Sequence, residues 1–204
     1  MILRTIHTDD LARMLAQLIA INVVSPLYQK SHLQDQLPIS PDRLTRFHSR
    51  YGTSIGYQIN SPCLHRATPQ ISVTDYLNRM VRYSSLEKAS LLAAVYYIDL
   101  LSQRFPAFTL SSLTVHRFLI TAVTVASKGL CDAFCTNTHY AKVGGIGVAE
   151  LNMLELEFLK RVEWLIVPEP TVLEAYYRSM VAQDPRYRLE SEANNISLHP
   201  DGTS

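Results

Sequence analysis

Three groups of residues in this chain have side chains and spacings that could do chemistry. The first joins a cation to carboxylates. Lys128 and then Asp132 emerge from the end of an otherwise apolar run, and Glu155 lies four residues after Leu151, three before Phe158 and seven before Val162. That spacing places Glu155 on the inward face of a helix, where a carboxylate needs a partner or bears a desolvation cost. Lys128 is the best-placed partner, and the dipole near its helix C-terminus favours it there. On periodicity alone the pair reads equally as a structural ion pair or as a functional one. The second group is Cys131, Cys135 and His139, spaced at four-residue intervals as zinc ligands along one helix face would be. No fourth ligand is evident and Thr136-Asn137-Thr138 reads as a turn, so buried cysteines explain the pattern better and no metal is assigned. The third is Lys142-Val143-Gly144-Gly145-Ile146-Gly147, which is glycine-rich but has no preceding strand and no following G-K-[ST]. A helix stop and a turn account for it. No nucleophile elbow, H-E-x-x-H or kinase signature is present, and the seven histidines are scattered singly. The sequence predicts a protein that is not an enzyme and holds no cofactor.

These residues must be positioned by helices. Leu113 to Ala126 is apolar nearly all the way round, and a helix without a polar face is buried on every side. His116, Arg117 and Lys128 interrupt it too often for a membrane span, so a central helix starting at Ser111 or Ser112 is expected. Upstream, Thr8 reads as an N-cap with Asp9 and Asp10 in the first turn, and Leu11, Met14, Leu15, Leu18 and Ile19 repeat at helical spacing to about Val24. Residues 25–70 are rich in Pro, Ser and Gln and read as irregular, with one compact cluster at Leu44-Thr45-Arg46-Phe47-His48-Ser49. A helix from Ser72 carries Val73, Tyr76, Leu77, Met80 and Val81 on one face. Ser85 reads as the N-cap of a largely buried helix that Pro106 stops. Tyr140 to Val143 makes one helical turn. Ala149 to Leu165 is helical, with a core stripe of Leu151, Leu154, Phe158, Val162 and Leu165, and a last helix covers Thr171 to Ala182. The polar tail from Asp184 reads as disordered. Strand-like alternation is absent, so the fold expected is all-α.

Composition narrows the function. The 204 residues suit one compact domain with tails. A formal net charge of +1, with interleaved signs, argues against a nucleic-acid binder. Three cysteines without regular spacing do not make a disulfide framework, and the N-terminus lacks the order of a secretory signal. An intracellular protein, cytoplasmic and/or nuclear and away from the membrane, is expected.

At these residues the chain resembles a cyclin, most closely the small phosphate-pathway type of fungi and protists. The resemblance rests on an ordered set: Leu44 to Ser49, Ile71-Ser72-Val73, Tyr96-Tyr97-Ile98-Asp99, Val115 to Thr121, Ala126-Ser127-Lys128, Cys131-Asp132, Thr136 to Ile146, Glu150-Leu151-Asn152 and Leu154-Glu155. It implies a single five-helix cyclin box at 71–167, preceded by the N-terminal amphipathic helix at 1–24 and the linker at 25–70. A short C-terminal helix at 168–183 and a tail at 184–204 follow. It further implies a heterodimer with a cyclin-dependent protein kinase, whose regulatory helix a lysine and a glutamate grip. By motif these are Lys128 and Glu155, and an ammonium with three donors beside an accepting carboxylate can satisfy both ends of a peptide segment. Phe47 and Asp132 join them as expected contacts, Asp132 standing in for a phosphate on the kinase activation segment. Two departures bear on this. The helix Asp75 to Ser85 lacks the M-R-x-x-x-x-W substrate patch of cell-cycle cyclins, and Gly129 stands where most cyclins place a Phe, so that contact must be made differently.

Overall fold

The computed structural model describes residues 7–24, 69–105, 108 and 110–187. The Leu44–Ser49 cluster, with Phe47, lies outside the described residues. These contain seven helices and no strand: α1 (Thr8–Val24), α2 (Val73–Ser84), α3 (Lys88–Arg104), α4 (Val115–Leu130), α5 (Asn137–Gly144), α6 (Val148–Arg161) and α7 (Pro170–Gln183). None is long and apolar enough to cross a membrane. The fold is all-α, with α2 to α6 forming the five-helix box.

The helix expected at the centre is there. Leu119 to Ser127 of α4 are buried without interruption, and α2, α3, α5 and α6 all pack on this rod. α1 lies on α2 and α3 through Leu11, Met14, Leu15 and Ile19. α7 packs on α3 through Leu173, Tyr176, Tyr177 and Met180.

Several boundaries differ from expectation for local reasons. Ser85 is not an N-cap. It closes α2 in the left-handed conformation, with φ 47°, and Glu87 takes the N-cap position of α3. α4 begins at Val115 because Ser111 to Thr114 form a separate tight turn, with Thr114 Oγ1 accepting from the Ser111 amide at 3.0 Å. α5 is eight residues long rather than one turn, because Thr136 caps it by accepting from the His139 amide. α6 stops at Arg161. Glu163 and Trp164 then take positive φ values of 54° and 62°, which turns the chain and leaves Leu165 exposed instead of in the core stripe. Of the segment after α7, Asp184 to Tyr187 lie among the described residues. Asp184 accepts from the Arg186 guanidinium, and Tyr187 folds against the core to bond Asp10 of α1.

Asp99 of α3 is buried inside this framework. It accepts a 2.6 Å hydrogen bond from the Tyr176 hydroxyl of α7. Burial nevertheless raises its carboxyl from 3.8 to about 6. An acid that holds its proton more tightly when folded stabilises the fold fully below its unfolded value. That contribution is lost as pH rises through the folded value. Between about pH 4 and pH 6 the wild type is therefore expected to lose up to about 3 kcal/mol relative to Asp99→Asn. Urea midpoints of both proteins across that window measure the difference, and parallel curves would refute it.

Candidate protein-binding site

The end of α4 carries the site. Its core residues run out at Ser127, and the next position, Lys128, reaches across to α6. Lys128 Nζ lies 2.5 Å from Glu155 Oε1, with the lysine side chain 29% and the glutamate side chain 14% exposed. The partner inferred from periodicity is the observed one. A second ion pair, Arg117 Nε to Glu150 Oε1 at 2.7 Å, joins the same two helices nearer their N-termini and fixes how α6 lies on α4.

Asn137 was not legible as a site residue. It occupies the first position of α5, seated there by the Thr136 cap. Its Nδ2 donates to Glu155 Oε2 and to Asn152 Oδ1, both at 2.7 Å. One glutamate oxygen is thus held by an ammonium and the other by an amide, which fixes the plane of the carboxylate. Reading Thr136-Asn137-Thr138 as a turn concealed this. Thr136 as an N-cap could have marked Asn137 as the first residue of a helix, but nothing local places that residue beside α6.

Asp132 is exposed, one residue past the C-cap Cys131, and enters no ion pair among the described residues. It stands about one helical turn from Lys128 at the same end of α4. Lys128, Glu155 and Asp132 therefore share one region, whereas Phe47 lies outside the described residues. Cys131, Cys135 and His139 do not converge. Cys131 Sγ lies 3.4 Å from Ser90 Oγ, Cys135 Sγ faces the Ser84 carbonyl, and His139 Nε2 sits 2.6 Å from the Tyr83 carbonyl. Among the described residues no cluster could hold a metal ion.

The glycines divide by role. Gly145, at φ 70°, ends α5 in the left-handed conformation. Gly144 is there for space: a Cβ would sit 2.7 Å from Ile120 Cγ1. Over Gly129 lies Ile166, 3.2 Å from where a Cβ would be. The space beside that residue is filled from the segment after α6. On either side of Ile166 the chain leaves Trp164, Leu165 and Val167 exposed, and on α6 Leu156 is exposed next to Glu155. A half-buried, hydrogen-bonded ion pair set among exposed apolar side chains is the composition of a protein-binding surface.

A central helix walled by four others, with a lysine at its end bound to a glutamate on the last, is the arrangement of a cyclin box. The chain belongs to the cyclin family, a family of regulatory subunits rather than catalysts: its residues 7–166 match the family described as Cyclin. It is 49% identical over 188 residues to the Nuc-1 negative regulatory protein preg of Neurospora crassa, covering 90% of this chain and 38% of that protein. With the PHO85 cyclin PHO80 of Saccharomyces cerevisiae it shares 48% over 158 residues, 78% of this chain and 46% of the relative. Cyclin-U1-1 of Arabidopsis thaliana is 33% identical over 147 residues, 72% of this chain and 67% of its own length. The chain thus spans less than half the length of the two fungal relatives.

Proposed function

We propose that this chain is the regulatory subunit of a cyclin-dependent protein kinase, forms a heterodimer with it, and activates it. The observation that carries the proposal is the Lys128–Glu155 pair, locked by Asn137, with Leu156 exposed on the same helix as Glu155 and Trp164, Leu165 and Val167 exposed on the segment that covers Gly129. Lys128 offers its remaining donors to backbone carbonyls and Glu155 its remaining lone pairs to amides, so together they grip a backbone segment of the kinase's regulatory helix. Activation follows by population shift: the cyclin binds the conformation in which that helix is turned in to complete the ATP site. All catalysis stays in the kinase. The similarity to a protein named as a cyclin of PHO85 supports a role in phosphate or nutrient signalling, with control of cell division as the other outlet of the same surface. The complex would act in the cytoplasm, the nucleus or both.

Asp132, exposed and unpaired among the described residues at a helix end whose dipole disfavours an acid, would meet arginines of the activation segment and take the place of a phosphate there. The test is co-purification with the cyclin-dependent kinases of the source organism, followed by peptide phosphorylation without an activating kinase. A one-to-one active complex is expected, and Asp132→Asn should retain binding while losing about tenfold in activity. A complex that forms but stays silent would make the chain a scaffold. No complex with any such kinase would sink the proposal.

A further inference from the structure

A second charged surface lies at the crossing of α2 and α5. Arg79 and Arg82 stand three residues apart on α2, and His139 and Lys142 three apart on α5, so each pair shares a helix face at about 5–6 Å. Two hydrogen bonds fix how the pairs face each other. Arg79 Nη2 donates to the Lys142 carbonyl at 3.3 Å, and His139 Nε2 lies 2.6 Å from the carbonyl of Tyr83, the neighbour of Arg82. The two helices therefore meet with Arg79 against the backbone of Lys142 and His139 against the backbone beside Arg82, so the two basic pairs lie on adjoining helices. The Arg82 guanidinium is held over the Tyr83 ring, 5.6 Å from its centroid.

These groups are exposed and, among the described residues, form no ion pair with an acid. Arg79, Arg82, Tyr83, His139 and Lys142 are all exposed, and none of the ion pairs among the described residues includes one of the four basic groups. α5 has no acidic residue, and the one acid of α2, Asp75, accepts from the Ser72 hydroxyl at 2.6 Å. The three fixed cations keep unused donors: the other guanidinium nitrogens of Arg79, those of Arg82, and the Lys142 ammonium.

We propose that the α2–α5 face is a docking site for a phosphorylated segment of a partner protein. Three fixed cations, Arg79, Arg82 and Lys142, match two phosphates, each carrying about −1.5 to −2. Guanidinium forks suit phosphate oxygens better than an ammonium cluster would. Phosphates two residues apart on an extended chain stand roughly 7 Å apart on one side, close to the spacing along each helix. The site lies apart from Lys128 and Glu155 and does not depend on kinase binding.

The experiment is fluorescence anisotropy of the full chain with a fluorescein-labelled Gly-Ser peptide carrying two phosphoserines separated by one residue. Binding is expected to be about tenfold or more tighter than for the unphosphorylated and the Glu-substituted peptides, and to weaken as salt is raised. Arg82→Glu/Lys142→Glu should remove that preference while leaving the helical circular dichroism and kinase co-purification unchanged. Equal binding of the three peptides would overturn the proposal. So would an unaltered preference in the double variant, or tighter binding to single-stranded DNA or phosphatidylserine vesicles than to the phosphopeptide.

Discussion

Glu155→Ala is expected to weaken the complex with the kinase by on the order of a hundredfold or more, and Lys128→Ala by a comparable factor. Truncating one member of a buried, hydrogen-bonded charge pair at an interface costs about 2–5 kcal/mol, much of it from the charge left behind. Both side chains are already partly shielded in the isolated chain, at 14% and 29% exposure, and a kinase seated over them would complete their desolvation. Removing Glu155 has a further consequence: Asn137 Nδ2 loses one of its two acceptors and Lys128 keeps none among the contacts seen here. Because the residues act on one another, the double alanine variant should lose less than the sum of the single losses. The free protein should change far less, since a partly exposed pair contributes little to folding. Titration calorimetry against the kinase, beside urea unfolding of the free variants, separates the two effects. Variants that bind within about threefold of wild type would leave the pair a purely structural bridge.

Gly144→Leu should destabilise the isolated protein by about 1–3 kcal/mol, through overpacking of a closed core. The added Cβ would meet Ile120 Cγ1 at 2.7 Å and the Tyr76 hydroxyl at 3.2 Å. Ile120 is fully buried on the central helix and cannot swing away. Tyr76 donates to the Gly144 carbonyl at 3.1 Å, so relief of the clash in that direction would sacrifice a bond. α5 must then lift from α2 and α4, and Asn137 at its other end moves with it. Loss of kinase binding alongside loss of stability is therefore expected. Gly145→Ala is the informative control. Nothing lies within 4 Å of a Cβ there, so only the left-handed backbone is strained, at about 1–2 kcal/mol. If Gly144→Leu unfolded at the wild-type urea concentration, α5 would not be packed as described.

Periodicity made the centre of the fold legible because a helix without a polar face has one physical solution, burial on all sides. The same logic paired Glu155 with Lys128, since an inward carboxylate must be met by something. What it missed depended on single residues at element ends. Ser85 and Thr136 are both small hydroxyl residues flanking helices, yet one closes a helix in the left-handed region and the other opens one with a side-chain cap. Sequence alone does not separate those uses. Leu165 keeps the spacing of a core stripe, but α6 has already ended and two residues of positive φ have turned the chain. Asn137 was hidden because its role is set by α6, distant in sequence. The filling of the space over Gly129 was hidden for the same reason, since Ile166 comes from beyond the helix that carries Glu155.

The turn at Glu163 and Trp164 also gives the chain a built-in optical probe. Trp164 is its single tryptophan, and the turn holds the indole 63% exposed, two residues from the Ile166 that covers Gly129. In the free protein, emission under selective excitation comes from one water-facing ring. A partner seated over the end of α4 that reaches this ring is expected to dry it and shift its emission to the blue. Occupancy of the Lys128 end can thus be followed in real time with no dye attached, provided the partner's own tryptophans are subtracted or replaced.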